Sequence, residues 1–145
     1  MKNTNQKGKI TEIEILSKIM KLGYSVSIPF GDKDRYDQVW DINGKMLRIQ
    51  VKTASPIDEE ISAIKFKCTS VSNGKSHTYT KDEIDYFATY WDNQCYLIPV
   101  QECSVEKTLR FAPSKSGQIK GITFAKDYLL NIQLAIIKEE VAKNW

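Results

Sequence analysis

The chain has 145 residues, of which 41% are hydrophobic and 27% charged, with a formal net charge of +3. That balance excludes a disordered chain and suits one domain, residues 1–145, with a packed core; the mild positive charge permits a nucleic-acid partner without requiring one. Three cysteines without CxxC spacing and a single histidine argue against a structural zinc site and fit a reducing cytoplasm.

The start, MKNTNQKGK, lacks the apolar segment of a signal peptide, and no apolar run approaches the ~20 residues of a membrane span. A cytoplasmic protein without a membrane partner is expected. Residues 9 to 22, KITEIEILSKIMKL, read as a helix stopped by Gly23. YSVSIPF reads as a short strand broken by Pro29 and Gly31, and GDKDR as a polar loop. Residues 36 to 42 and 45 to 53 form a hairpin around Asn43-Gly44. Asn-Gly between alternating runs is the strongest short hairpin signal, since both turn residues take positive φ.

SAIKFKCTS is a further alternating strand, VSNGKSHTY a turn-rich connection and TKDEI a capped helical turn. DYFATYWD is an aromatic strand, and NQ turns it into CYLIPV as a second hairpin. Between 104 and 122 only a short strand at 108 to 111 and a loop at APSKSGQ are assigned. From about Asp127 the segment YLLNIQLAIIKEEVAKN is a long helix, apolar almost all round, which points to burial first and to an oligomer interface second. This order implies an α/β fold of the α+β mixed-sheet kind, with a central mixed β-sheet flanked by helices.

A two-residue turn at Asn43-Gly44 puts Asp37 opposite Gln50 and Arg35 opposite Lys52, with opposed Cβ atoms about 5 Å apart on one face. Gln50 and Lys52 share that face because strand side chains alternate. Leu47, Ile49 and Val51 line the other face as core formers. A solvated polar face is the ordinary explanation of such a set. Val39 on the same face, and helices at both chain ends to cover the sheet, argue against it.

The first helix adds a misplaced carboxylate. Ile10, Ile13, Ile15, Leu16, Ile19 and Met20 form a broad apolar arc, and Glu12 projects inside it. An inward carboxylate is costly unless compensated; the alternatives are an exposed helix start or a pair with a lysine at the core edge. Together Glu12, Asp37 and Gln50 offer hard oxygen ligands suited to Mg²⁺, with the Lys52 cation beside them. Such an ion polarises a phosphodiester and acidifies water, and a neighbouring lysine stabilises developing negative charge.

These residues match a known pattern. Glu12, then Tyr36-Asp37, then IQVK ending at Lys52 resembles the PD-(D/E)xK nuclease superfamily, and within it the small intron-encoded homing endonucleases of cyanobacteria. The resemblance covers residues 7 to 54 well, 77 to 100 more weakly, and nothing beyond about 104. It implies a restriction-endonuclease-like core and a Mg²⁺-dependent endodeoxyribonuclease, with Mn²⁺ as the expected substitute. By the same resemblance Asp37 is the principal metal ligand, and Gln50 replaces the usual second carboxylate. The Val51 carbonyl completes the inner shell, Glu12 joins it directly or through water, and Lys52 is the catalytic lysine. Tyr36 stands where the motif has proline. Gln50 matters more, because an amide can ligate but carries no charge and is no base at neutral pH.

A nuclease holds a polyanion. Lys7, Lys9, Lys33 and Arg35 are candidate phosphate contacts near the site, and Lys65, Lys67, Lys75, Lys115 and Lys120 are more distant ones. The expected partners are double-stranded DNA and further copies of the chain, as a dimer or tetramer, since cutting both strands of a long site calls for more than one small subunit. The expected function is site-specific cleavage of homing or restriction type. The alternatives are a Holliday-junction resolvase and an inactive DNA-binding module on the same scaffold.

Overall fold

A computed structural model describes residues 3–31, 33–114 and 116–144. The elements in chain order are α1 (Thr4–Lys21), β1 (Ser25–Ser27), β2 (Gln38–Ile42), β3 (Lys45–Val51), β4 (Ser55–Pro56), β5 (Ala63–Lys67), β6 (Thr69–Ser72) and β7 (Lys75–Thr78). They continue with β8 (Tyr86–Trp91), β9 (Gln94–Pro99), β10 (Glu106–Arg110) and α2 (Leu130–Lys143).

The central sheet has the order β1-β2-β3-β8-β9. All its pairings are antiparallel except β3 with β8, which run parallel, so the sheet is mixed as expected. Asn43 (φ 54°) and Gly44 (φ 95°) make the two-residue turn, and the β2–β3 register is the expected one, with Trp40 opposite Leu47 and Gln38 opposite Ile49. The ladder ends at that last pair, so neither Asp37 with Gln50 nor Arg35 with Lys52 forms the cross-strand pair expected of it; these residues lie beyond its end.

Both helices pack on one face of this sheet. Ile15 and Ile19 of α1 and Leu134, Ile137 and Val141 of α2 share a core with Trp40, Leu47, Ile49 and Val51. The opposite face is covered by a second small sheet, β10-β5-β4, whose Ile64, Phe66 and Leu109 pack with Phe87 and Ile98. Coverage on both faces is what buries the hairpin. α1 starts earlier than residue 9 because Asn3 caps it, its Oδ1 accepting the Gln6 N–H at 2.8 Å. Its apolar arc is narrower than expected: Ile15 and Ile19 are buried, but Ile13 is 62% and Met20 60% exposed.

Three local assignments change. The turn between β8 and β9 is Asp92-Asn93, both at positive φ, and Gln94 already belongs to the strand. The segment read as a connection, 69–78, is a β6–β7 hairpin around Asn73-Gly74. The strand expected at 108 to 111 runs from Glu106 to Arg110. No helix is long and apolar enough to cross a membrane among the described residues.

Candidate active site

Asp37 lies one residue before β2. Its N–H donates to the Ile49 carbonyl at 2.8 Å, and its Oδ2 accepts the Val51 N–H at 2.8 Å. The carboxylate takes over as acceptor where β2 has run out of backbone. Burial pushes the Asp37 carboxyl up to about 6 from the ordinary 3.8; the Val51 N–H opposes that rise, and the nearby Glu12 carboxylate adds to it.

Glu12 reaches this point from α1. Its side chain is 22% exposed, and Lys9 Nζ lies 3.1 Å from Oε2, so inward projection and pairing with an edge lysine both occur. The helix is fixed there by Gln38, which is 1% exposed. Gln38 Nε2 donates to the Glu12 carbonyl at 2.9 Å, and Gln38 Oε1 accepts the Trp40 indole N–H at 2.9 Å. A buried amide thus ties the backbone of Glu12 to the strand that follows Asp37. A second tie joins the Thr11 and Thr53 hydroxyls at 3.4 Å. A cleft of about 400 Å³ opens beside the two carboxylates, between Lys9, Ile13 and Leu16 of α1 and Ile28, Pro29, Asp34 and Tyr36.

Gln50 is half-buried on β3, and its Nε2 donates to the Val51 carbonyl at 3.4 Å. A half-turn of the amide exchanges that donor for an acceptor. Two carboxylates, an amide and a carbonyl are hard oxygen donors of the kind Mg²⁺ takes, so the residues present fit such an ion. No group of three or more His, Cys, Asp or Glu gathers among the described residues, because the third side chain here is the amide of Gln50.

Lys52 follows directly. Its N–H donates to the Ala88 carbonyl at 3.0 Å and its carbonyl accepts the Thr89 hydroxyl at 2.7 Å, so the parallel neighbour β8 fixes its backbone. The ammonium donates to the Thr69 carbonyl at 2.9 Å and lies 5.2 Å from the Tyr79 ring centroid. Burial lowers the Lys52 pKa, with the Asp37 charge opposing.

The expected phosphate contacts are scattered. Lys7 on α1, Lys33 in the β1–β2 loop and Lys75 at the tip of β7 are exposed, while Lys115 lies outside the described residues. Arg35 is engaged within the molecule: Nη1 donates to Ser70 Oγ at 3.1 Å, and the guanidinium stacks 4.1 Å from the Tyr79 ring centroid. Its Nε lies 2.7 Å from Glu83 Oε2, an ion pair whose angle is poor for a hydrogen bond. Arg48, on the hairpin's polar face, is likewise held, by the Asp85 carboxylate and the carbonyls of Asp82 and Lys81. Gln38, Thr69, Tyr79 and Glu83 carry no motif of their own. Only Gln38 left a trace in the sequence, as a polar residue on the buried side of an alternating strand.

A family model described as PD-(D/E)XK endonuclease matches residues 2–131, well past the point at which the sequence resemblance stops. Among solved structures, the bacterial homing endonuclease I-Ssp6803I is similar in fold, with a TM-score of 0.77 at 22% identity over 98% of this chain and 99% of that one. No curated protein matches the chain significantly.

Proposed function

The chain belongs to the PD-(D/E)XK endonuclease family, and from that premise we propose that it is a metal-dependent endonuclease that hydrolyses phosphodiester bonds of double-stranded DNA at preferred sites. We propose further that it is one domain over residues 1–145, works in the cytoplasm and acts as a homo-oligomer. The observation that carries this reading is the meeting of Asp37, Glu12 and Lys52 where the hairpin ends, with Asp37 raised to about 6 by burial and by Glu12. Buried like charges brought together in this way are a mark of functional sites.

Asp37, Gln50 and the Val51 carbonyl are the residues that would hold Mg²⁺ or Mn²⁺, with Glu12 alongside. When bound, such an ion acts as a Lewis acid on the phosphate and lowers the pKa of water. The chain's own groups do the rest. The Val51 N–H keeps the Asp37 carboxylate in one orientation. Gln38 holds the Glu12 segment of α1 against it. Lys52, positioned by the Thr69 carbonyl and the Tyr79 ring, sets its charge where negative charge develops on the phosphate. Its burial-lowered pKa also makes it a more effective proton partner than an exposed lysine. Exposed Lys7 and Lys33 supply sequence-independent attraction to the backbone. The exposed Ile132 and Ile136 of α2, at 43% and 46%, support self-association.

The test is cleavage of supercoiled plasmid and long linear DNA with Mg²⁺, by wild type and by Lys52→Ala. Activity lost by about 10²-fold or more in the variant is expected; two equally inert proteins defeat the reading. Four-way junctions in the same assay separate a resolvase, which cuts them irrespective of sequence. A second reading, a binding module without catalysis, is favoured by Gln50, which leaves the site two carboxylates. Calorimetry that finds tight DNA binding and no Mg²⁺ binding supports it.

A further inference from the structure

β6 and β7 form a two-stranded sheet of their own. Residues 71–78 are all exposed, Val71 at 74%. An isolated two-stranded hairpin is at best marginally stable in water, and its free edges invite misplaced pairing. This one contributes no side chain from 69–78 to either core. Its stability comes from its root. Cys68 N–H donates to the Val105 carbonyl at 2.8 Å. Arg35 donates to Ser70 Oγ at 3.1 Å and to the Thr78 carbonyl at 3.4 Å. The Thr69 carbonyl accepts the Lys52 ammonium at 2.9 Å. The ribbon is therefore anchored on the side chain read above as the catalytic lysine.

The register gives the two faces their composition. Ser70 pairs with His77 and Ser72 with Lys75 on one face; Val71 pairs with Ser76 on the other. From Thr69 to Tyr79 there is no Asp or Glu. Donors and acceptors without negative charge, projecting into solvent beside the site, complement a polyanion that displays hydrogen-bonding edges. The shape agrees: two paired strands lie about 4.8 Å apart, and the major groove, about 12 Å wide, admits a two-stranded ribbon.

We propose that the β6–β7 ribbon enters the major groove of the duplex being cut and that Ser72, Lys75 and His77 read base edges there, with Lys75 directed to guanine. Resting on the endonuclease reading, this names the element that sets its sequence preference. Docking of the ribbon also loads its root, so groove contact and the position of the Lys52 ammonium are coupled through the Thr69 carbonyl.

The experiment presents a randomised duplex library to wild type, Lys75→Ala, His77→Ala and the double variant. Products cut with Mg²⁺, and fragments bound in EDTA, are sequenced. These side chains are exposed, so unchanged melting temperatures are expected. Each single variant should lose preference by about tenfold at one or two neighbouring base positions, the guanine being the one lost with Lys75. Wild-type preference retained by all three variants overturns the proposal. So does a wild type that cuts without preference, an outcome that leaves the nuclease reading intact. A double variant with intact preference but altered mass in light scattering overturns it in favour of ribbon-mediated self-association. If wild type neither cuts nor binds DNA, the endonuclease reading fails, and this proposal fails with it.

Discussion

The Asp37 carboxylate accepts the Val51 amide at 2.8 Å, one step beyond the last cross-strand pair, Gln38 with Ile49. A side chain here continues a backbone ladder. The carboxylate is thereby fixed against the same peptide segment that carries Gln50 and Lys52, so strand geometry and site geometry are one thing.

The raised pKa of Asp37 makes the metal-free protein sensitive to pH. Its folded value of about 6 lies above the ordinary 3.8, so the folded state holds the proton more tightly than the unfolded one. That contribution is fully present below about pH 4 and is lost as pH rises through about 6. Asp37→Asn removes the buried charge and keeps an acceptor for Val51. In EDTA at pH 8 it should be more stable by ~1–2 kcal/mol, a few degrees in Tm, and inactive. Melting curves from pH 4.5 to 8 check this: the gap between variant and wild type should widen with pH, and a constant gap is the contrary result.

Gln50→Glu restores the carboxylate that the family pattern usually has. It should tighten Mg²⁺ binding by about tenfold or more, since ligand charge sets affinity for hard cations. It should also raise the Asp37 pKa further and lower the metal-free Tm at pH 8, because a third carboxylate joins the repulsion. Calorimetric titration with Mg²⁺ and melting with and without EDTA read both effects. Unchanged affinity would place residue 50 outside the metal shell.

Gln38 is expected to act through Glu12. Gln38→Leu leaves the Trp40 N–H without its buried partner and frees the Glu12 segment of α1, costing ~1–3 kcal/mol. Its Mg²⁺ dependence should move to several-fold higher concentration, with activity largely recovered at saturation. Trp40→Phe, which removes the indole N–H but leaves the Glu12 tie, should lose stability without moving the Mg²⁺ curve.

Arg35 and Glu83 form a pair whose side chains are just under one third exposed, at 31% and 32%. A double-mutant cycle of Arg35→Ala and Glu83→Ala should yield a coupling of only about 1 kcal/mol. Arg35→Ala alone should reduce cleavage more than Glu83→Ala does, because Arg35 also holds Ser70, Thr78 and the Tyr79 ring that faces Lys52. Equal losses of activity in the two single variants would make the pair a stability device alone.

Much of the site was legible because hairpin geometry is local. Asn43-Gly44 dictates a type I′ turn, the turn dictates the register, and the register brings Asp37 to the end of the ladder, against the segment that carries Gln50 and Lys52. The same signal at Asn73-Gly74 is silent in the sequence because its flanks, Ser70 to Thr78, lack the apolar alternation by which a strand is recognised; side chains 69–78 of the β6–β7 ribbon join neither core. Gln38 is the opposite case: the alternation puts it on the buried side of β2, but its role follows only from its two partners, the Glu12 carbonyl and the Trp40 indole. Ile13 and Met20 lie on the apolar arc yet outside the core, because helical periodicity reports which residues could face inward and not how wide the covering surface is.

The sequence by itself determines the helices and the two main hairpins, because these follow from turn chemistry and periodicity within a few residues, and it nominates Glu12, Asp37, Gln50 and Lys52 as the candidate set through motif spacing. Only the tertiary structure decides that β8 lies parallel beside β3 and fixes Lys52, that both helices cover one face while β10-β5-β4 covers the other, and that Arg35, Tyr79 and Thr69 enclose the lysine. Those contacts join segments far apart in the chain, and their free energy comes from burial and from polar groups satisfied in three dimensions, which local patterning does not encode.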